Sequence, residues 1–194
     1  VKSLNYTLGV VEKRQTLPIL SNVLLEVDES SLKITATDLE SEISTTSTIS
    51  NYKSGGKTTA PARKLSDLCR LLPDLAEIHL FLDGDNLKIE SGSGKYSIST
   101  LPSEDFPVFE KEDAQSQINI SSQNLKTLIT KTSFAMGNQD WRHYLNGLYL
   151  LIDDKSITSV TTDAHRLALA SSSLNEATPE AISGIVPRKS INEI

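Results

Sequence analysis

The sequence predicts an α+β protein built as a duplicated domain, and three observations carry that reading. First, the chain repeats itself at an offset of 125 residues: Thr37-Asp38 recurs as Thr162-Asp163, and Arg63-Lys64 as Arg188-Lys189. The apolar frame holds the same register, with Leu24, Leu25, Val27 and Leu32 matched by Tyr149, Leu150, Ile152 and Ile157. A period this long marks a duplicated domain rather than a solenoid unit. Second, short runs of strand-like alternation bounded by turn residues outnumber the helical patterns. Third, basic residues gather on the predicted helices and acids elsewhere.

The elements follow in order. Val1, Leu4, Leu8 and Val11 have helical spacing, giving a helix over 1–8, then Gly9 and a basic loop at Lys13-Arg14. Residues 19–27 and 31–37 read as strands joined by the turn Asp28-Glu29-Ser30. Residues 43–49 are Ser/Thr-rich and alternating, a half-solvated strand, and Ser54-Gly55-Gly56 breaks the chain. Thr58-Thr59-Ala60-Pro61 leads into a helix over 62–72, with Pro at its start where the missing N–H costs nothing. Strands at 78–82, 87–90 and 96–101 are separated by Asp83-Gly84-Asp85 and Ser91-Gly92-Ser93-Gly94. The acidic stretch at 103–115 marks a boundary, so the sequence divides into domains 1–113 and 114–194.

The second domain repeats the order: a strand over 117–120, a helix over 122–135 capped by Ser121 or Ser122, strands at 144–152, 156–162, 166–171 and 182–186, then a helix from 188. Leu125, Leu128, Ile129 and Phe134 form the apolar stripe of the helix, with Lys126 and Lys131 off it. Helices on one side of strand-rich layers describe an α+β domain. The opening Val1-Lys2-Ser3-Leu4 begins inside an element, which reads as a fragment lacking its beginning, and 188–194 reads as the start of a further segment.

Composition narrows the function classes. At 194 residues and 38% hydrophobic, with 23% charged, the chain is globular. It contains no apolar run of the ~18 residues that read as a membrane span, and no signal-peptide core. The lone Cys69 excludes a disulfide framework and a cysteine-based metal site, fits a reducing cytosol, and sits on an apolar face with Leu65, Leu68 and Leu72 as a small buried hydrophobe. No cofactor is expected. The net charge of −6 argues against a polyanionic partner, but its distribution reverses the argument. Segments 1–14, 61–72, 121–136 and 187–194 hold ten basic residues and three acids, leaving the rest of the chain strongly acidic. Such a split focuses a polyanion onto one set of elements and repels it from the others.

Seven motifs in sequence carry a resemblance: Thr16-Leu17-Pro18-Ile19-Leu20, Ala36-Thr37-Asp38-Leu39-Glu40, Pro61-Ala62-Arg63-Lys64, Leu101-Pro102-Ser103-Glu104-Asp105-Phe106-Pro107, Tyr144-Leu145-Asn146-Gly147, Thr162-Asp163-Ala164-His165-Arg166-Leu167 and Val186-Pro187-Arg188-Lys189. Together they resemble the bacterial sliding clamp, the beta subunit of DNA polymerase III, over the whole chain. The resemblance implies the DNA-clamp (processivity-factor) fold, with inner helices and outer antiparallel sheets. The chain would match the first domain less its opening strand and most of the second, with a third absent. It also implies a non-catalytic, cytoplasmic and nucleoid-associated accessory subunit that encircles duplex DNA without reading sequence. Its partners would be a DNA polymerase, a clamp loader and other replication or repair proteins, docked through a short peptide motif. The complete protein would be a homodimeric ring.

Three sites are expected. Phosphate contacts without base readout need Lys and Arg, here Lys2, Arg14, Arg63, Arg70, Lys126, Lys131, Arg188 and Lys189; the resemblance adds Gln139, His143 and Tyr144. It implies a partner-peptide groove at Leu145, Thr162, Ala164, His165, Arg166 and Leu167, with Ala164 where the family often has Gly, so that a methyl narrows the groove or shifts the turn. It implies a dimer interface at Lys64, Leu68, Tyr96 and Ile98, the last two alternating onto one face of an edge strand. An enzyme would have to use Asp163, His165 and a serine, or His79, His143 and His165, yet the sequence has no nucleophile elbow, phosphate loop or H-E-x-x-H. A peptide-binding module without a DNA role explains the groove but not the basic helices. A sequence-specific reader lacks the Asn/Gln/Arg cluster that base edges require.

Overall fold

The computed structural model describes residues 2–11, 17–109, 117–178 and 180–194. The chain forms two compact units, residues 1–110 and 111–194. Of the acidic stretch read as the boundary, 110–115 lie outside the described residues, as do Lys13 and Arg14.

Unit 1 begins with helix α1 (Lys2–Thr7) and a 3₁₀ turn at Pro18–Ser21. Strands β1 (Asn22–Val27), β2 (Ser31–Thr37), β3 (Glu42–Thr48) and β4 (Gly56–Pro61) form an antiparallel sheet in the order β3-β2-β1-β4. Helix α2 (Ala62–Leu71) follows, then β5 (His79–Asp83), β6 (Asn86–Ser91) and β7 (Gly94–Ser99) as a second antiparallel sheet. One core joins them: Leu4 of α1 and Leu65 of α2 pack with Val23, Leu25, Ile34, Ala36 and Ala60 of the first sheet and Leu87, Ile89 and Ile98 of the second. Each large aliphatic side chain so buried contributes about 1.5–3 kcal/mol.

Unit 2 has helix α3 (Ser122–Thr132), strands β8 (Gly147–Asp153), β9 (Ser156–Thr162), β10 (Leu167–Ser173) and β11 (Ile182–Pro187), and helix α4 (Arg188–Glu193). The Ser121 hydroxyl accepts the Asn124 N–H at 3.2 Å, capping α3. The sheet order is β10-β9-β8-β11. Leu128 packs with Ile152, Ile157 and Leu174, while Met136, Leu148 and Ile191 form a second cluster. An apolar cavity of about 200 Å³ opens between α3, α4 and the sheet, lined by Leu125, Ile129, Leu150, Val186, Ile191 and Ile194 among others.

The offset of 125 is a structural repeat. β2 maps onto β9 and β3 onto β10 end for end, and the two four-stranded sheets share one strand order. The repeat reaches individual hydrogen bonds. Thr7 and Thr132, both fully buried, donate their hydroxyls to carbonyls of the preceding turn, Leu4 three residues back and Leu128 four back, each at 2.8 Å. Leu39 and Ala164 occupy the same left-handed backbone position, φ 74° and 73°. In each, the hydroxyl two residues back (Thr37, Thr162) accepts their N–H at 3.1 Å.

Five expectations are corrected. Residues 117–120 form no strand: Ile118 and Ile120 pack against the Leu128 cluster without ladder bonds. Residues 56–61 form strand β4, because Thr59 and Ala60 are fully buried and the segment pairs with β1 along its whole length. The strands expected to start at 19 and 144 are each preceded by a 3₁₀ turn, Pro18–Ser21 and His143–Leu145. The helix expected over 122–135 ends at Thr132 in another 3₁₀ turn, which swings Phe134 off the apolar stripe to 59% exposure.

Candidate nucleic-acid interface

Charge compensation separates the helices from the strands. Four lysines lie on strands, and each is in an ion pair: Lys33 and Lys57 with Glu26 (3.3 and 2.8 Å), Lys88 with Asp83 (3.6 Å) and Lys95 with Glu90 (3.2 Å). The Lys57 bond, more than that of Lys33, holds the Glu26 carboxyl below its usual range. On the helices, Lys2, Lys64, Lys126 and Lys131 are exposed, and none is in an ion pair with another described residue. Helix α3 carries no acid, so Lys126 and Lys131 keep their full field. Arg70, also exposed, donates to the neutral Asn5 Oδ1 at 3.3 Å. Lys189 lies in the first turn of α4 and is half-buried.

Arg63 and Arg188 behave differently from the lysines. Arg63 Nη2 donates to the Val11 carbonyl at 3.2 Å. Arg188 Nη1 donates to the carbonyls of Met136 (3.0 Å) and Gly137 (3.1 Å). Met136 is the repeat counterpart of Val11. Arg14 lies outside the described residues.

Gln139, His143 and Tyr144 sit together on the loop 137–146. At its neck the Gly137 N–H donates to the Leu145 carbonyl at 2.9 Å, and a Cβ on Gly137 would lie 2.9 Å from that oxygen. Across the loop, Asn146 Oδ1 accepts the Asp140 N–H and its Nδ2 donates to the Asp140 carbonyl (2.9 and 2.8 Å). Arg142 grips the Asp140 carboxylate through Nε, Nη2 and its own backbone N–H at 2.9–3.0 Å. Chiefly through that side-chain bond, Asp140 is held down to about 2. The loop thereby displays Tyr144 at 62% exposure and Trp141 at 83%, with Arg142 stacked 5.8 Å from the indole centroid. Asp140, Trp141 and Arg142 are not among the site residues expected from the sequence; a lone Trp in a polar run is the signal it offers.

The expected groove residues are only partly a surface. Thr162, Ala164, His165, Arg166 and Leu167 form the β9–β10 turn, in which Asp163 Oδ1 accepts the N–H groups of His165 and Arg166 at 3.0 Å and Oδ2 accepts Arg166 Nε at 2.9 Å. These bonds, the His165 N–H first, lower the Asp163 pKa. Arg166 stacks over Phe134 at 5.7 Å, and Leu167 is exposed. Leu145 is 7% exposed and belongs to the interior. At Ala164 the cost of replacing Gly falls on the backbone, because φ is 73° there, a region where a Cβ costs about 1–2 kcal/mol.

At the expected dimer interface Lys64 is exposed, while Leu68 and Tyr96 pack at the margin of the unit 1 core. Tyr96 and Ile98 do share a face, but Ile98 is 7% exposed and turned into its own core, so it offers a partner almost no side-chain surface. β7 lies at one edge of its sheet. Cys69 is half-buried and burial raises its thiol pKa. Among the described residues no group of His, Cys, Asp and Glu is placed to hold a metal, and no helix is long and apolar enough to cross a membrane.

Two like-ordered sheets, each carrying basic helices, make a duplicated scaffold of the DNA-clamp fold, and comparison with known proteins agrees. The DNA polymerase III beta subunit N-terminal domain matches residues 1–110 and its central domain matches residues 119–194. The beta sliding clamp of Vibrio cholerae is 43% identical over all of this chain, which covers 53% of that protein. The crystal structure of the Pseudomonas aeruginosa DNA polymerase III subunit beta superposes with a TM-score of 0.92 at 41% identity, over 99% of this chain and 52% of that one. The Caulobacter crescentus pol III beta structure gives 0.91 at 38% identity, over 99% and 53%. The chain belongs to the DNA polymerase III beta subunit family. It spans about half the length of the relatives it matches.

Proposed function

We propose that this chain serves in a DNA sliding clamp, a non-catalytic ring that encircles duplex DNA and tethers the replicative polymerase to it in the cytoplasm, at the nucleoid. One observation carries the reading beyond family membership: Lys2, Lys64, Lys126 and Lys131 on helices are in no ion pair with another described residue, whereas every lysine on a described strand is in one. Sliding requires attraction that reads no sequence, and exposed lysines supply it through phosphate contacts. Each neutralised phosphate contributes a salt slope near −0.9, so a few such contacts are weak at cellular ionic strength. Retention then comes from enclosure. In this reading Lys2, Arg70, Lys126, Lys131 and Lys189 face the duplex, joined by Arg14 and by Gln139, His143 and Tyr144 of the 137–146 loop.

Polymerase, clamp loader and repair proteins would dock a short peptide beside the β9–β10 turn. There Leu167 and Phe134 supply exposed apolar surface and Arg166 and His165 a polar rim. Ring closure as a homodimer would use the β7 edge with Lys64 and Tyr96 at its rim. The test is retention on circular DNA by a protein of the relatives' full length. It should stay on a nicked circle and run off once the circle is cut. Equal loss from both substrates would leave a peptide-binding module without a DNA role.

A further inference from the structure

We infer that Arg188 is a positioning residue: it pins the 137–146 loop rather than binding phosphate itself, and Arg63 meets the matching backbone carbonyl in unit 1. The inference rests on reading Gln139, His143 and Tyr144 as duplex-facing, and it revises the role expected of the two arginines. Three bonds carry it. Arg188 Nη1 holds the loop's first foot through the Met136 and Gly137 carbonyls, while the Arg188 backbone N–H holds the other foot through the Asn146 carbonyl at 2.9 Å. One residue at the start of α4 thus ties both ends of the loop. A lysine keeps the charge and has donors enough, but its flexible stem and rotatable ammonium lack the fixed planar N–H pair that Nη1 aims at both oxygens. The pattern is also duplicated: Arg63 reaches the carbonyl of Val11, which stands 125 residues before Met136. A surface cation selected only for charge would have no reason to meet the same backbone oxygen twice.

Trp141, the only tryptophan among these 194 residues, lies in this loop and reports its order once any tryptophan elsewhere in the full-length protein is replaced by phenylalanine. The test compares R188K, R188Q and N146A in the full-length protein. It reads Trp141 fluorescence anisotropy, and residence on nicked circular DNA against salt. Asn146→Ala loosens the loop without touching a cation, so it keeps the comparison decisive if an Arg188 variant folds poorly. The inference predicts lower anisotropy and several-fold shorter residence for R188K, R188Q and N146A alike, with an unchanged salt slope. It is overturned if R188K keeps wild-type anisotropy and residence while R188Q alone shortens residence and reduces the slope by about 0.9, the mark of one lost phosphate contact. Lower anisotropy with unaltered residence would uphold the pinning by Arg188 and overturn the reading of the loop as duplex-facing.

Discussion

Replacing Lys126 and Lys131 together with glutamate is expected to weaken loading and shorten residence of the full-length protein on circular DNA several-fold at physiological salt while leaving its fold unchanged. Both side chains are exposed on α3, neither is in an ion pair with a described residue, and the helix has no acid to take up the lost field. Neutral glutamines should lower the slope of log affinity against log salt by about 1.8, two phosphates at 0.9 each. Glutamates add repulsion against the phosphate row. Thermal unfolding should move little, because exposed substitutions away from packing features stay within about 0.5 kcal/mol. Residence equal to wild type would remove α3 from the duplex-facing surface. The same pair of changes at Lys33 and Lys57 provides the contrast: both lysines lie on strands and share ion pairs with Glu26, so DNA residence should not fall.

Leu128→Ala is expected to cost about 2–5 kcal/mol, the range for a large-to-small change in a packed interior. Leu128 is 2% exposed and joins α3 to Ile152, Ile157 and Leu174. Its carbonyl also accepts the buried Thr132 hydroxyl, so a shift of the helix disturbs a polar contact as well. Hydrogen exchange under mild denaturant should show β8, β9 and β10 losing protection while β1, β2 and β3 keep theirs. A loss below about 1 kcal/mol would mean that the cavity between α3, α4 and the sheet lets the site collapse around the smaller side chain.

The repeat was the most legible part of the sequence, because strand patterns and turn chemistry are local. Thr37-Asp38 and Thr162-Asp163 mark turns whose side chains bond their own backbone within a few residues, so their structure follows from the dipeptide itself. Strand β4 was not legible, since Gly56 and the threonines after it carry little apolar signal and become a strand through pairing with β1. Residues 117–120 erred the opposite way: alternation around Ile118 and Ile120 reflects burial without a ladder. Within the candidate site the cations could be counted from sequence but their state could not. Lys33 and Lys126 look alike in a chain of letters, and only cross-strand Glu26 puts one of them in an ion pair. The same holds for Arg63 and Arg188, whose partners are backbone carbonyls 52 residues away.

The central claim is that each unit turns its helical layer, and not its sheet, toward the duplex. Site-specific photocrosslinkers test it directly. Lys126 on α3 and Lys2 on α1 represent the helices; Thr158 on β9 and Lys33 on β2 point away from the cores of their sheets. With the full-length protein loaded on circular DNA, crosslinks should form from positions 126 and 2 and be absent from 158 and 33. Crosslinks from the two sheet positions, with none from the helices, would contradict it.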